Sequence, residues 1–421
     1  MGNQYFRCKG MEPIEYTLLG LAIVLFGAWC FVMSFHLLAI CYGKWKLHKH
    51  PTMPPEKGLP GVSILKPLTG VDPHLYSNLE TFFKMEYPKY ELLFCVGEEG
   101  DPAIMVAQSL IEKYPNVDSQ LLIGGKIVGI NPKINNMMLA YEAAKYDLIL
   151  ISDSGLRMSQ DGLLDMVLHI ERDNVGLVHQ MPYVCDRKGF AGVLEKVYFG
   201  TQHAKMYLYA NALGINCTTG MSCIMRKEIL EDSGGLKVFG QYLAEDFFLA
   251  QATLQKGWQI LLASQVAQQN PGTYSVTQFQ NRIIRWTKLR AAMLPQFIFL
   301  EPLSECLTIG LLGSWSVVEL FDWSPLGFFL VHTLLWFLQD YILLLVVNNG
   351  PITFTKFDFL IGWIFRELTS ITLMIRAHAS PTIEWRSRRF KLQWGGLVTE
   401  LKPKTPEVSP GVYHHRKTFS V

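Results

Sequence analysis

The stretch Tyr90-Glu-Leu-Leu-Phe-Cys-Val96, followed by Gly97-Glu-Glu-Gly-Asp-Pro102, decides the fold class. A short apolar run closed by a Gly- and Asp-rich turn reads as a buried strand ending in a loop. The same unit repeats on both sides. Val62 to Leu65 predicts a strand that Lys66 and Pro67 end, and helical spacing continues from Pro73 to Lys84. Beyond the turn come a helix over 102–114, a strand over 120–123, a helix over 133–145 and a strand over 147–152. Strands this short and apolar, alternating with helices, are buried and mainly parallel. The expectation is an α/β, doubly wound domain whose ligands bind beyond the carboxyl ends of its strands.

Acidic residues fall where that rule wants them. Glu98 and Asp101 lie just past the second strand, and Asp153 just past the fourth. A carboxylate there can hold a base, a ribose or a divalent cation. Turns also favour Asp and Gly for backbone reasons, so each acid alone reads equally as turn or site. Further along, Glu245-Asp246 opens an apolar run that fits a helix. Gly257 and Asn270-Pro271-Gly272 break the chain before Arg282-Ile-Ile-Arg285-Trp286. Arginines three apart leave one face of a helix. Two planar, bidentate forks suit a diphosphate, and Trp286 offers a flat face to a sugar or base. The other reading of the same pair is a basic amphipathic helix lying on a membrane.

Of the 421 residues, 49% are hydrophobic and only 18% charged, and mean hydropathy is +0.18, which points to a membrane protein. A net charge of +2 gives no case for nucleic acid. The eight cysteines show no paired zinc spacing, as expected of a chain facing mostly a reducing compartment. Residues 16–42 contain no Asp, Glu, Lys or Arg, more than the ~20 a spanning helix needs and too long for a signal peptide. His36 within that run reads as a tolerated polar side chain. Lys44 to His50 is more basic than the N-terminus with Arg7 and Lys9, which places 1–15 in the lumen and the chain beyond residue 42 in the cytosol. A basic, Pro-rich linker over 43–60 would then lead to a catalytic unit over 61–300. In the last third, Cys306 to Val318 is marginal as a span and Pro325 to Val347 is long enough. Arg366 and Glu367 interrupt the run 359–375, favouring a re-entrant or interfacial helix over a clean span. Residues 301–378 are thus expected as membrane and interfacial helices, and 379–421 as a basic tail that ends in disorder.

Asp101, Asp153, Asp246 and Arg282-x-x-Arg285-Trp286 resemble the "D, D, D, (Q/R)xxRW" pattern of inverting glycosyltransferases with a GT-A (Rossmann-like) fold. Within that group the chain is most similar to the ceramide glucosyltransferase family. The blocks that carry the resemblance are KPLTGVDP (66–73), NLETFF (78–83), GINPKINN (129–136), TGMSC (219–223), QFQNRIIRWTKLR (278–290) and SPTIEWR (380–386). The resemblance implies transfer of glucose from UDP-glucose to ceramide at the cytosolic face of the Golgi membrane. It also implies roles. Asp101, with Glu98 nearby, would help hold the uridine, and Lys66, Pro67 and Lys133 would line the nucleotide pocket. Asp153 would bind a divalent cation, Mg²⁺ or Mn²⁺, although Gly155 stands where a full Asp-x-Asp has its second acid. Asp246 would be the general base, and Arg282, Arg285 and Trp286 would steady the departing UDP. His203 matches a family histidine near the active site, and reads equally as a satisfied structural histidine. The nearest rivals are a processive polysaccharide synthase and a dolichyl-phosphate glycosyltransferase. A non-catalytic lipid-binding scaffold is the rival of another class.

Overall fold

The structure is a computed structural model that describes residues 12–52, 58–273, 275–385 and 388–401. Arg7, Lys9, residues 53–57 of the Pro-rich linker, Arg386 and the expected disordered end lie outside the described residues.

The chain enters through helix α1, Pro13–Lys46, which overruns the uncharged run at both ends. At about 1.5 Å per residue it is about 50 Å long, more than a hydrocarbon core requires. Ile14, Leu21, Ile23 and Val24 are exposed along its first half, as befits a surface turned to lipid. At its far end Lys46 Nζ lies 2.7 Å from His169 Nε2, which ties the helix to the α/β domain.

That domain begins with β1 (Val62–Leu68), α2 (Leu75–Phe83), β2 (Tyr90–Val96), α3 (Ala103–Lys113), β3 (Ser119–Ile123), α4 (Pro132–Ala143) and β4 (Leu148–Ser152). Next come β5 (Leu156–Arg157), α5 (Gly162–Ile170), β6 (Val175–His179), β7 (Pro182–Val184), α6 (Phe190–Tyr198), a π-turn (Phe199–His203) and α7 (Ala204–Ala212). The remaining elements are β8 (Ser222–Arg226), α8 (Lys227–Glu231), a 3₁₀ turn (Leu236–Gln241), α9 (Glu245–Gln255), β9 (Gln259–Leu262), β10 (Ala267–Gln269) and α10 (Val276–Met293).

Seven strands form one sheet in the order β3-β2-β1-β4-β8-β6-β9. Only β8 runs antiparallel to its neighbours β4 and β6; the other pairs are parallel. Alternate side chains bury opposite faces. Ile64, Leu92, Phe94 and Leu150 pack under α2, α3 and α5, while Leu65, Leu93, Ile149 and Ile151 pack under α4 and α9. This is the doubly wound α/β domain expected. One boundary differs: Lys66 and Pro67 do not end β1, which pairs with β2 through Leu68. Because β4 pairs only with Val62–Leu65, Pro67 sits where β1 has one neighbour rather than two, a position that tolerates a missing N–H.

The membrane portion comprises α11 (Phe297–Leu303), α12 (Cys306–Phe321), α13 (Pro325–Asn348) and α14 (Lys356–His378). Among the described residues α1 and α13 are long and apolar enough to span, and α11 with α12, bent by 72°, passes only as a pair. The run 359–375, expected as a re-entrant or interfacial helix, lies in one continuous helix, α14, whose Arg366 finds Asp340 at 2.7 Å and Glu367 beside it. His36 Nε2 lies 3.1 Å from the same Asp340, so this histidine is held by a specific partner. Helices α1, α6, α7, α13 and α14 share a core that includes Met33, Phe199, Trp336, Phe359 and Trp363.

The expected basic tail contains structure as well. Strands β11 (Thr382–Trp385), β12 (Arg388–Leu392) and β13 (Val398–Leu401) form an antiparallel sheet. Ile383, Phe390 and Leu392 bury against Leu243 and Leu289, closing the sheet over the start of α9 and the middle of α10.

Candidate active site

Beyond the carboxyl end of β4 lies a cavity of about 390 Å³ lined by residues from α4, α7, α9, α10 and β11. Lys133, Asp153, His203, Asp246, Arg282, Arg285 and Trp286 all face it. Seven of the residues expected from sequence therefore meet in one place.

Lys133 is the hub. Asn131 caps α4 by accepting from the backbone N–H groups of Lys133 and Ile134, with Pro132 at the first helical position, which preorganises that turn. From there Lys133 Nζ reaches Asp153 Oδ1 (2.8 Å), Glu245 Oε1 (3.0 Å) and the carbonyl of Gly220 (2.8 Å). Burial opposes its charge, but the two carboxylates outweigh burial and raise its pKa. Asn131 Nδ2 donates to the other oxygen of Glu245 at 3.0 Å. Glu245 is thus fully engaged in holding α4 to α9.

Asp246, one residue on, turns by about 100° to the cavity. Its carboxylate accepts from the Gly220 N–H at 2.9 Å and from Phe247 N–H at the helix start. Burial and then the neighbouring charge of Glu245 push this carboxyl up to about 6, against the pull of the Gly220 N–H and Lys133. Such a group is ionised at neutral pH and still basic enough to take a proton.

On the opposite wall, Arg282 lies 4.5 Å over the Trp286 ring and donates to Gln269. Arg285 and Trp286 complete that side. His203, from the π-turn, packs among Phe199, Tyr207 and Trp286. Burial, reinforced by Arg290 and Arg282, drops its pKa to about 3, so it is a neutral imidazole.

Lys66, Pro67, Glu98 and Asp101 do not line this cavity. Lys66 is fully buried behind it, donating to the Asp153 carbonyl (2.7 Å) and Ser152 Oγ (3.2 Å), with Phe82 at 3.7 Å. Burial brings its pKa down to about 7. Asp101 accepts from the backbone N–H groups of Gly70 (2.9 Å) and Ala103 (2.8 Å), fastening the β1 and β2 loops together. Glu98 is exposed beside it.

Sequence reasoning misses Asn131, Gly220, Ile383 and Trp385. The Asn-Pro pair at the start of α4 is a legible cap signal. Among the described residues no three His, Cys, Asp or Glu gather as a metal site. Asp153 does present a carboxylate that is 39% exposed, with one oxygen on Lys133.

A second cavity, of about 440 Å³, opens between α1, α6, α10 and α14. Phe31, Val32, Phe35, Leu194 and Leu373 give it an apolar wall. His203, Met206, Tyr209, Arg290 and Phe297 line both cavities, so the polar chamber and the membrane-side chamber adjoin.

Ceramide glucosyltransferase 3 of Caenorhabditis elegans is 44% identical over 370 residues, covering 88% of this chain and 80% of that one. Ceramide glucosyltransferase 1 of the same organism is 43% identical over 405 residues, 95% and 86% of the two chains. A ceramide glucosyltransferase of Komagataella phaffii is 30% identical, covering 85% of this chain and 88% of its own. Among solved structures, mannosyltransferase PcManGT from Pyrobaculum calidifontis, in complex with GDP-Man and Mn2+, aligns over 86% of this chain and 98% of its own with TM-score 0.46 and 14% identity. Residues 31–398 match the model of Glycosyl transferase family 21, and the chain belongs to that family.

Proposed function

We propose that this enzyme transfers glucose from UDP-glucose to the primary hydroxyl of ceramide, with inversion, giving glucosylceramide. The observation that carries this reading is the junction of the two cavities: a chamber of carboxylates and arginines adjoins an apolar chamber among membrane helices. A water-soluble nucleotide sugar suits the first and a two-chain lipid the second. The names of the curated relatives support ceramide as the acceptor and glucose as the transferred sugar.

In this scheme the acceptor hydroxyl lies against Asp246, which takes its proton as the hydroxyl oxygen attacks the anomeric carbon from the face opposite UDP. The bond from that carbon to the diphosphate oxygen breaks, and its electrons leave with UDP. Arg285, with Arg282 and Trp286, meets the charge that grows there. Lys133 holds Asp153 and Glu245 in place, and Lys66 fixes the backbone of Asp153 from behind. Asp153 would hold the divalent cation, Mg²⁺ or Mn²⁺, which supplies charge neutralisation on the diphosphate when bound. One protein carboxylate is compatible with Mg²⁺, which keeps waters and substrate phosphates as ligands. The site is read as facing the cytosol from a Golgi membrane.

Incubation with radiolabelled UDP-glucose and ceramide in detergent should yield a labelled glycolipid. A labelled polymer would point to the processive rival, and a dolichyl-phosphate product to the other. No product with any acceptor would favour a scaffold.

A further inference from the structure

Resting on the reading of the membrane-side cavity as the acceptor site, we propose that Glu367 accepts a hydrogen bond from the lipid there, and so selects acceptors that carry a donor beside the reacting hydroxyl. The cavity is mostly hydrocarbon-lined, yet Gln202, Glu305, Arg366 and Glu367 share its wall. Two hydrocarbon chains have no use for carboxylates, and burying one is costly unless it is paired.

Most of this polar strip is internally satisfied. Arg366 donates to Asp340 at 2.7 Å and, through Nε, to Glu367 Oε1 at 3.0 Å, and it also meets Thr201. Gln202 Nε2 donates to Glu305. Among the fully buried polar atoms of these four side chains one is left over. Glu367 is 3% exposed, and its Oε2 has no hydrogen-bond partner. With Oε1 taken by the Arg366 guanidinium, a buried Oε2 that no donor reaches is an unmet demand for one. An N–H or O–H of the lipid would meet it.

An N-acyl sphingoid base carries two such donors next to its primary hydroxyl, the amide N–H and the secondary hydroxyl. A diacylglycerol has the same two chains and a primary hydroxyl, but its esters only accept. Glu367 would thus discriminate ceramide from diacylglycerol by leaving a buried acceptor unpaired with the wrong lipid, a mode of rejection stronger than shape alone.

The experiment uses the full chain in bilayer nanodiscs with UDP-glucose and four acceptors of matched chain length: ceramide, its N-methyl amide, its 3-deoxy analogue and diacylglycerol. Wild type should lose about 10- to 100-fold in kcat/KM on at least one of the two donor-deficient ceramides. Glu367→Gln, which replaces the free acceptor by a donor, should shrink the ceramide-to-diacylglycerol ratio by a similar factor while UDP-glucose still protects the protein against heat. Equal use of all the ceramides by wild type would overturn the assignment, with no variant needed. So would an unchanged selectivity ratio in a folded Glu367→Gln. Absence of glucosylceramide from the wild-type reaction would instead remove the functional reading beneath it.

Discussion

Adjacent acids in α9 divide their work. Both line the cavity, but Glu245 is bound there by Lys133 and Asn131, whereas Asp246 is held by backbone N–H groups. Asp246→Asn should lower turnover by about 10²–10⁴ while UDP-glucose affinity, read by calorimetry, stays near wild type. Near-normal turnover in that variant, with Glu245→Gln inert, would move the base by one residue. Because burial and Glu245 raise the Asp246 carboxyl to about 6, it is protonated and useless as a base below that pH. The acceptor kcat/KM should therefore fall as pH drops through about 6 and level off above it, and Asp246→Asn should lose that acid limb. Arg285→Ala should behave differently, weakening UDP binding together with turnover, because a diphosphate meets that charge in ground and transition states alike. At this scale the sequence is most informative where chemistry needs a charge: Lys133, Asp153, Asp246, Arg282 and Arg285 converge. It is least informative where a charge serves the backbone. The positions of Asp101, bonded to two loop amides, and Lys66, sealed behind Asp153, depend on loop closure that no local pattern encodes.

Elements hold these residues in register through close backbone approach. Gly220 gives its N–H to Asp246, and a Cβ placed on it would come 2.9 Å from the Asp246 Cβ. Gly220→Ala should therefore displace the α9 start, costing about 1–3 kcal/mol of stability by overpacking. Turnover should fall at least tenfold, since a shift of about 1 Å in a catalytic group can cost about 10²-fold. Calorimetry paired with rate measurement checks it, and a fully active Gly220→Ala would show that the loop yields without disturbing the base. The α/β alternation is legible because buried parallel strands are apolar throughout, and the strand Tyr90–Val96 has the bounds its sequence predicts. The β11–β13 sheet is not legible in the same way. Its central strand alternates buried Phe390 and Leu392 with exposed Arg389 and Lys391, and short charged strands of this kind read as a basic tail until the surface they cover is known.

For the whole molecule, that small sheet fixes a parity. Ile383 and Trp385 line the cavity that holds Asp246, so β11 lies on the same side of the membrane as the catalytic domain. Between α10 and β11 the chain must cross an even number of times. We propose that α13 is one of these crossings and the bent α11–α12 pair the other, with α14 on the catalytic side. Protease added to sealed vesicles with the catalytic domain outward should cut both that domain and the segment after Arg388. Protection of the latter until detergent is added would break the parity. The adjoining cavities have a kinetic consequence too. The acceptor arrives by diffusion in two dimensions within one leaflet, whereas the donor arrives from three-dimensional solution. The apparent KM for ceramide should thus track its mole fraction in the bilayer and stay constant when vesicles are diluted at fixed composition. Adding inert phospholipid at constant total ceramide should slow the enzyme, while the KM for UDP-glucose keeps its ordinary molar meaning.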